Sequence, residues 1–316
     1  MLLDKSEGTS SNAALQAVRR LFGANKAGHT GTLDPLASGL LAIAFGEATK
    51  FSGFLLDADK RYRAVIRLGV TTDTGDADGK VVDRRAVATS DEQIESVLGG
   101  FRGEILQVPP MFSALKRRGR PLYELARRGI EVEREARRVR ILRLRMERRQ
   151  DDQLWIEIDC SKGTYVRALA MDIGAALGCG AHVERLRRTG IGPLRIEQAV
   201  TWEALASAGE SDRVSWLRPV DWIVRDLERV ELGTIEASRF VCGLPVEAAG
   251  RPGGVNFRVY AQGGFLGIGR TGGEGLLRPK RLLNPSSDAR AQAGSDCSPA
   301  RRSRPGSDGV AATESK

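Results

Sequence analysis

The segment Gly28-His29-Thr30-Gly31-Thr32-Leu33-Asp34-Pro35-Leu36-Ala37-Ser38-Gly39-Leu40-Leu41 narrows what this chain can fold into more than any other. It sets three glycines, one histidine and one carboxylate in a short stretch, then runs straight into an apolar one. Glycine at that density lets a backbone take conformations other residues resist and lets a ligand come close. Asp34 directly before Pro35 predicts a helix start, because aspartate suits the cap and proline the first turn. A carboxylate placed there feels the positive end of the helix dipole and stays ionised. The loop thus reads as a device that presents one charged carboxylate at a fixed place. On spacing alone a plain helix cap is the commoner reading of such an Asp-Pro pair.

The surrounding pattern mixes two periods. Leu15, Val18, Leu21 and Phe22 predict a helix over 11–22, capped by Ser10 or Ser11. The wholly apolar run 40–45 predicts a buried strand, and 48–56 a helical stretch. Residues 61–68 alternate, with Tyr62, Ala64, Ile66 and Leu68 on one face. An acidic, glycine-containing loop is expected at 71–79, a helix capped by Ser90 at 91–98, and a break at Val108-Pro109-Pro110-Met111. Strands at 139–144 and 154–160 flank the polar turn 150–152, and 164–177 reads as an amphipathic helix. Hairpin-like strand pairs mixed with helices argue for an α+β domain rather than a repeating βαβ fold.

Near Asp226 the texture changes. Short apolar runs between glycines (240–241, 257–260, 265–269, 276–277) predict a small β-rich domain. From Pro285 the chain is mostly Ser, Ala, Arg, Gly and Asp without an aromatic residue, the composition of a disordered tail. Residues 267–272 match G-x-G-x-x-G, but more glycines and another strand-like run follow. A β-hairpin is expected there, and no nucleotide cofactor.

The net charge is +9 over 316 residues, which favours a polyanionic partner, most simply nucleic acid. The charge is local. Residues 116–149 carry fourteen basic against five acidic side chains, a surplus equal to that of the whole chain. Either this cluster grips phosphates or it is a solvated face of Glu–Arg pairs. The four cysteines, Cys160, Cys179, Cys242 and Cys297, form no close pair, which suits a reducing cytosol. Cys160 and Cys179 are expected in the core, and Cys179 with His182 supplies too few ligands for zinc. No apolar run is long enough to span a membrane, and no signal peptide is evident.

A second constellation is Asp159-Cys160-Ser161-Lys162-Gly163-Thr164-Tyr165-Val166-Arg167. It joins a strand to a helix that Thr164 or Ser161 could cap, with Tyr165 and Arg167 in the first turn. Strand ends are common places for sites. An arginine facing Asp34 would hold that carboxylate ionised and fixed in direction. By itself the stretch is an ordinary junction.

Together these residues resemble the tRNA pseudouridine synthase B family. The resemblance rests on Leu2-Leu3-Asp4-Lys5 with Gly8-Thr9-Ser10; on residues 28–35; on Asp59-Lys60-Arg61-Tyr62 with Thr72-Asp73-Thr74-Gly75-Asp76; on residues 161–167; and on Cys179-Gly180-Ala181-His182 with Leu186-Arg187-Arg188. Ser6 stands where the family usually has proline. The resemblance implies a mixed, largely antiparallel central sheet flanked by helices over 1–228. It places an RNA-gripping insertion at about 110–140. Residues 229–285 are more loosely similar to an RNA-binding PUA domain, with the disordered tail at 286–316. It implies pseudouridine formation at the T-loop uridine of tRNA, position 55, by base flipping and an aspartate nucleophile, with no cofactor and no metal. Asp34 would be that nucleophile, Tyr62 would stack on the flipped base, and Arg167 would pair with Asp34. Tyr165 and Leu186 would line the pocket, His29 would fill the gap left in the RNA, and Lys50 and Arg188 would contact phosphate. Asp76 belongs to the same expected substrate-binding set. The implied partner is the tRNA T-stem-loop, met by a cytoplasmic monomer without membrane, guide RNA or protein partner.

Overall fold

The alternation at 61–68 becomes a nine-residue strand, Lys60–Leu68, in the middle of a mixed sheet. The computed structural model describes residues 1–284 other than Arg118 and Ala249. It forms two compact units, Met1–Asp226 and one that begins at Leu227. The expected tail at 286–316 lies outside the described residues.

In the first unit the sheet's main path runs Val200–Thr201, Leu2–Lys5, Ser38–Phe45, Ala181–Ile191, Lys60–Leu68, Gln153–Cys160, Arg137–Gln150, Gly103–Gln107. Only the contacts of Leu2–Lys5 with Val200–Thr201 and of Ser38–Phe45 with Ala181–Ile191 are parallel along this path. The expected mixed, largely antiparallel α+β architecture is therefore present. One face buries Ala64, Ile66, Leu68, Leu154, Ile156 and Ile158 against Ile94 and Leu98 of the helix Asp91–Gly100 and Leu169 and Ile173 of the helix Val166–Ala176. Each of these leucine and isoleucine side chains contributes about 1.5–3 kcal/mol on burial. Ser90 and Gln93 close a reciprocal capping box on the first of these helices. Cys160 and Cys179 pack in this core. The His182 ring meets the Val70 carbonyl through Nδ1 at 2.8 Å.

Three local expectations fail. No helix starts at Asp34. Ala37 N–H donates to the Asp34 carbonyl at 3.1 Å, a β-turn with Pro35 at its second position. The strand Ser38–Phe45 then begins, because it pairs with Leu2–Lys5, Ala27–His29 and Ala181–Ile191. The helix after Ser161 starts at Val166 with Tyr165 in the cap position and no side-chain cap. Thr164 Oγ1 donates instead to the Ser161 carbonyl at 3.0 Å. Phe240-Val241 is not a strand but the end of the helix Thr234–Val241.

The second unit is a five-stranded sheet in the order Arg229–Glu231, Asn256–Ala261, Gly264–Thr271, Leu276–Leu282, Val246–Glu247. Its core gathers Val230, Phe240, Phe257, Val259 and Leu277. The G-x-G-x-x-G stretch lies in the strand Gly264–Thr271 and the turn after it, as a hairpin reading requires.

Among the described residues, no helix is long and apolar enough to cross a membrane.

Candidate active site

The loop that carries Asp34 is held from several sides. Ser11, at the start of the helix Ser11–Leu21, clamps Leu33 in both directions: its Oγ donates to the Leu33 carbonyl at 2.9 Å and accepts from the Leu33 N–H at 2.7 Å. Beyond Asp34, the Pro35 carbonyl accepts from Gly8 N–H at 2.8 Å and from Lys5 Nζ at 3.4 Å. Before it, Arg188 donates to the carbonyls of Gly31 at 3.0 Å and Thr32 at 3.4 Å, and to that of Leu40 at 2.8 Å. Gly39 is obligatory in this packing. Its φ is +104°, and a Cβ would collide with the Arg188 backbone.

Against this fixed loop comes Arg167, from the first turn of the helix Val166–Ala176. Its Nε lies 2.9 Å from Asp34 Oδ2, and its Nη1 lies 3.4 Å from Asp76 Oδ2. Nη1 also donates to the Thr74 carbonyl at 3.0 Å, and Nη2 to the Phe112 carbonyl at 2.7 Å. The Arg167 and Asp76 side chains are 5% and 6% exposed, whereas Asp34 is 36% exposed. The arginine is therefore fixed in the protein, and of the three groups Asp34 alone offers a face to a ligand.

Burial pushes the Asp34 carboxyl above its ordinary range. The Arg167 guanidinium opposes this by charge and hydrogen bond, and Asp76 adds to the rise. What favours the Asp34 carboxylate is the ion pair with Arg167, not a helix cap at Asp34 itself. Lys5, buried and bonded to the carbonyls of Ser6 and Thr9, is brought down to about 8 by its burial, with Asp34 pulling the other way.

Tyr62 sits on the core face of its strand, directly opposite Arg188 in the antiparallel pair. Burial raises its phenol; the Arg188 charge opposes this and the nearby Asp34 charge adds to it. Tyr165 is half-buried and feels the same Asp34 charge. Asp34, Tyr62, Tyr165 and Arg167 thus share one neighbourhood, with Leu186 buried on the strand beside Tyr62.

Two expected contacts have other roles. Arg188 is 1% exposed and spends its guanidinium on loop carbonyls, so it braces the loop and is closed to RNA phosphate. Asp76 is 4% exposed and serves Arg167 and Thr74, not a substrate. Lys50 lies on a short 3-10 helix, 2.6 Å from Glu47. His29 ends the strand Ala27–His29, half-buried, and burial lowers its pKa. Ser11 and Lys5 were absent from the expected site. Both act through backbone carbonyls, a role that no side-chain pattern encodes.

The basic cluster divides. In the strand Arg137–Gln150, Arg143 and Arg145 meet Glu157 at 3.3 and 3.0 Å, Arg149 meets Asp91 at 3.1 Å, and Arg148 stacks on Trp155. Ahead of it, the short hairpin Lys116–Arg117/Arg120–Pro121 and the helix Leu122–Ala126 leave Lys116, Arg117, Arg120, Arg127 and Arg128 exposed.

Residues 19–166 match the family model described as TruB family pseudouridylate synthase (N terminal domain). Residues 167–230 match the tRNA pseudouridylate synthase B C-terminal domain, and 229–283 match Pseudouridine synthase II TruB, C-terminal. The chain is 53% identical over 284 residues to the tRNA pseudouridine synthase B of Aromatoleum aromaticum, covering 90% of this chain and 92% of that one. It is 55% identical over 284 residues to that of Dechloromonas aromatica, covering 90% and 94%. Among solved structures, a chain of the crystal structure of a Cbf5-Nop10-Gar1 complex superposes with a TM-score of 0.69 at 25% identity, covering 90% of this chain and 84% of its own. A chain of the archaeal box H/ACA sRNP Nop10-Cbf5 complex gives 0.66 at 22%, covering 90% and 86%, and shares the fold. Motifs, sheet order, the Asp34–Arg167 pair and near-full-length identity above 50% converge on one conclusion: the chain belongs to the TruB family of pseudouridylate synthases.

Proposed function

We propose that this chain converts a uridine of tRNA to pseudouridine, at position 55 in the T loop, with Asp34 as the nucleophile. The observation that carries this reading is the Asp34–Arg167 pair, a partly open carboxylate held at 2.9 Å by a buried guanidinium. The reaction breaks the bond from ribose C1′ to uracil N1 and makes one from C1′ to C5. The C5 hydrogen leaves as a proton and N1 gains one. Nothing is oxidised and no group is supplied, so the balance needs no cofactor. It needs a nucleophilic carboxylate in a guarded pocket.

The target base sits inside a folded loop, and flipping it out costs a few kcal/mol. Tyr62 stacks on the flipped base, Tyr165 and Leu186 wall it, and His29 takes the place it leaves. The exposed bases of 116–128 grip phosphate, with Lys50 as a further contact. The chain works alone, as a monomer in the cytoplasm, without guide RNA. The high identity to relatives named as tRNA enzymes supports this over the lower likeness to a chain solved within a multi-protein complex.

Chemical mapping tests it. Pure chain incubated with an unmodified tRNA transcript and no additive should give pseudouridine at position 55. Modification only when a guide RNA or partner protein is added would contradict the stand-alone reading, and none under any condition would contradict the activity.

A further inference from the structure

The helix that presents Arg167 has no side-chain cap, yet the residue in its cap position, Tyr165, is fixed. The fixing group is Gln107, the last residue of the strand Gly103–Gln107, which ends the sheet's path. Its carboxamide makes two hydrogen bonds to one residue of another element: Oε1 accepts from the Tyr165 N–H at 2.7 Å, and Nε2 donates to the Tyr165 carbonyl at 3.1 Å. Gln107 is 2% exposed. The same carbonyl accepts from Leu169 N–H at 3.0 Å, a bond that opens the helix. Five residues past Gln107, the Phe112 carbonyl accepts from Arg167 Nη2 at 2.7 Å. The chain that leads into the basic insertion is therefore bonded both to the backbone of Tyr165 and to the guanidinium of Arg167.

We propose that Gln107 is a positioning residue for the reaction: its two-way bond to the Tyr165 backbone sets where Tyr165 and Arg167 stand relative to Asp34. This rests on the function proposed above. Gln107 is buried and offers no face to a ligand. It acts through the helix start, where a displacement of about 1 Å at reacting groups can cost on the order of 100-fold in rate. A purely structural glutamine would lower the amount of folded protein and leave each folded molecule as active as before.

The test uses full-length chain and unmodified tRNA, with single-turnover rate, tRNA affinity and folded fraction measured on each variant. Gln107→Leu, which keeps the volume and loses both bonds, should slow the rate per folded molecule about 10- to 100-fold while the tRNA Kd stays within about twofold. Gln107→Glu supplies the conservative comparison. Protonated, its carboxyl can accept from the Tyr165 N–H and donate to the Tyr165 carbonyl; ionised, it loses the donor. Burial raises a carboxyl pKa. The activity of Gln107→Glu relative to wild type should therefore be highest at the acid end of the working range and fall as pH rises, a profile Gln107→Leu lacks. An unchanged rate per folded molecule in Gln107→Leu, or a pH-independent ratio for Gln107→Glu, overturns the assignment alone. A wild-type chain that makes no pseudouridine overturns it together with the reading it rests on.

Discussion

Asp34 is the residue on which the proposed chemistry turns, and its environment pulls it two ways. Burial favours the neutral acid, whereas Arg167, 2.9 Å away, favours the carboxylate. In the proposed reaction the reactive form is the anion, so activity should fall as pH drops through the raised Asp34 pKa. Removing the opposing cation raises that pKa further. Arg167→Met should therefore move the acid limb of the single-turnover pH profile upward, by about 1–3 pH units, with Arg167→Lys in between; an unmoved limb in Arg167→Met would separate the ion pair from the chemistry. The carboxylate and its partner were reached through the family resemblance; read alone, the Asp-Pro step was a helix cap and the stretch that carries Arg167 an ordinary strand-to-helix junction. The fate of Asp76 was reached neither way. Its burial and its bond to Arg167 come from residues far apart in the chain, and an aspartate in an acidic loop reads the same whether it faces RNA or an arginine.

Strands and helices followed from periodicity wherever one face is buried, as in Lys60–Leu68 and in Asp91–Gly100 with its Ser90–Gln93 box. They failed where pairing overrides a local signal. Asp34-Pro35 has the chemistry of a helix start, but Ser38–Phe45 is claimed by neighbouring strands and the dipeptide makes a turn instead. Phe240-Val241 is too short a run to separate strand from helix by period. Arg188 shows the same limit, because a basic residue on a strand looks like a phosphate contact until its carbonyl partners are known. Arg188→Met removes the donor to the carbonyls of Gly31, Thr32 and Leu40, and the buried one, that of Leu40, costs on the order of 1–3 kcal/mol when left unpaired. The substitution should lower both the urea midpoint and turnover while leaving the salt slope of tRNA binding unchanged. A slope reduced by about one would return Arg188 to phosphate duty.

At the scale of the molecule, charge and chemistry occupy different places. In the sheet Arg143, Arg145 and Arg149 pair with Glu157 and Asp91, the first two while still exposed, and the insertion also keeps its bases on the surface. A count along the sequence could locate the surplus but not divide it, since the division depends on which strands lie side by side. Replacing Lys116, Arg117 and Arg120 with glutamine should flatten log Kd against log salt by about two to three, with the single-turnover rate at saturation little changed. An unchanged slope would make this a merely solvated patch. The central claim is narrower, that one carboxylate performs the chemistry while the rest of the chain binds and places the RNA. Comparing Asp34→Asn with wild type on the same tRNA, by single-turnover assay and by binding, tests it most directly. Pseudouridine formation should vanish while the Kd stays within about threefold, a difference under 1 kcal/mol. Measurable turnover in folded Asp34→Asn would contradict the account.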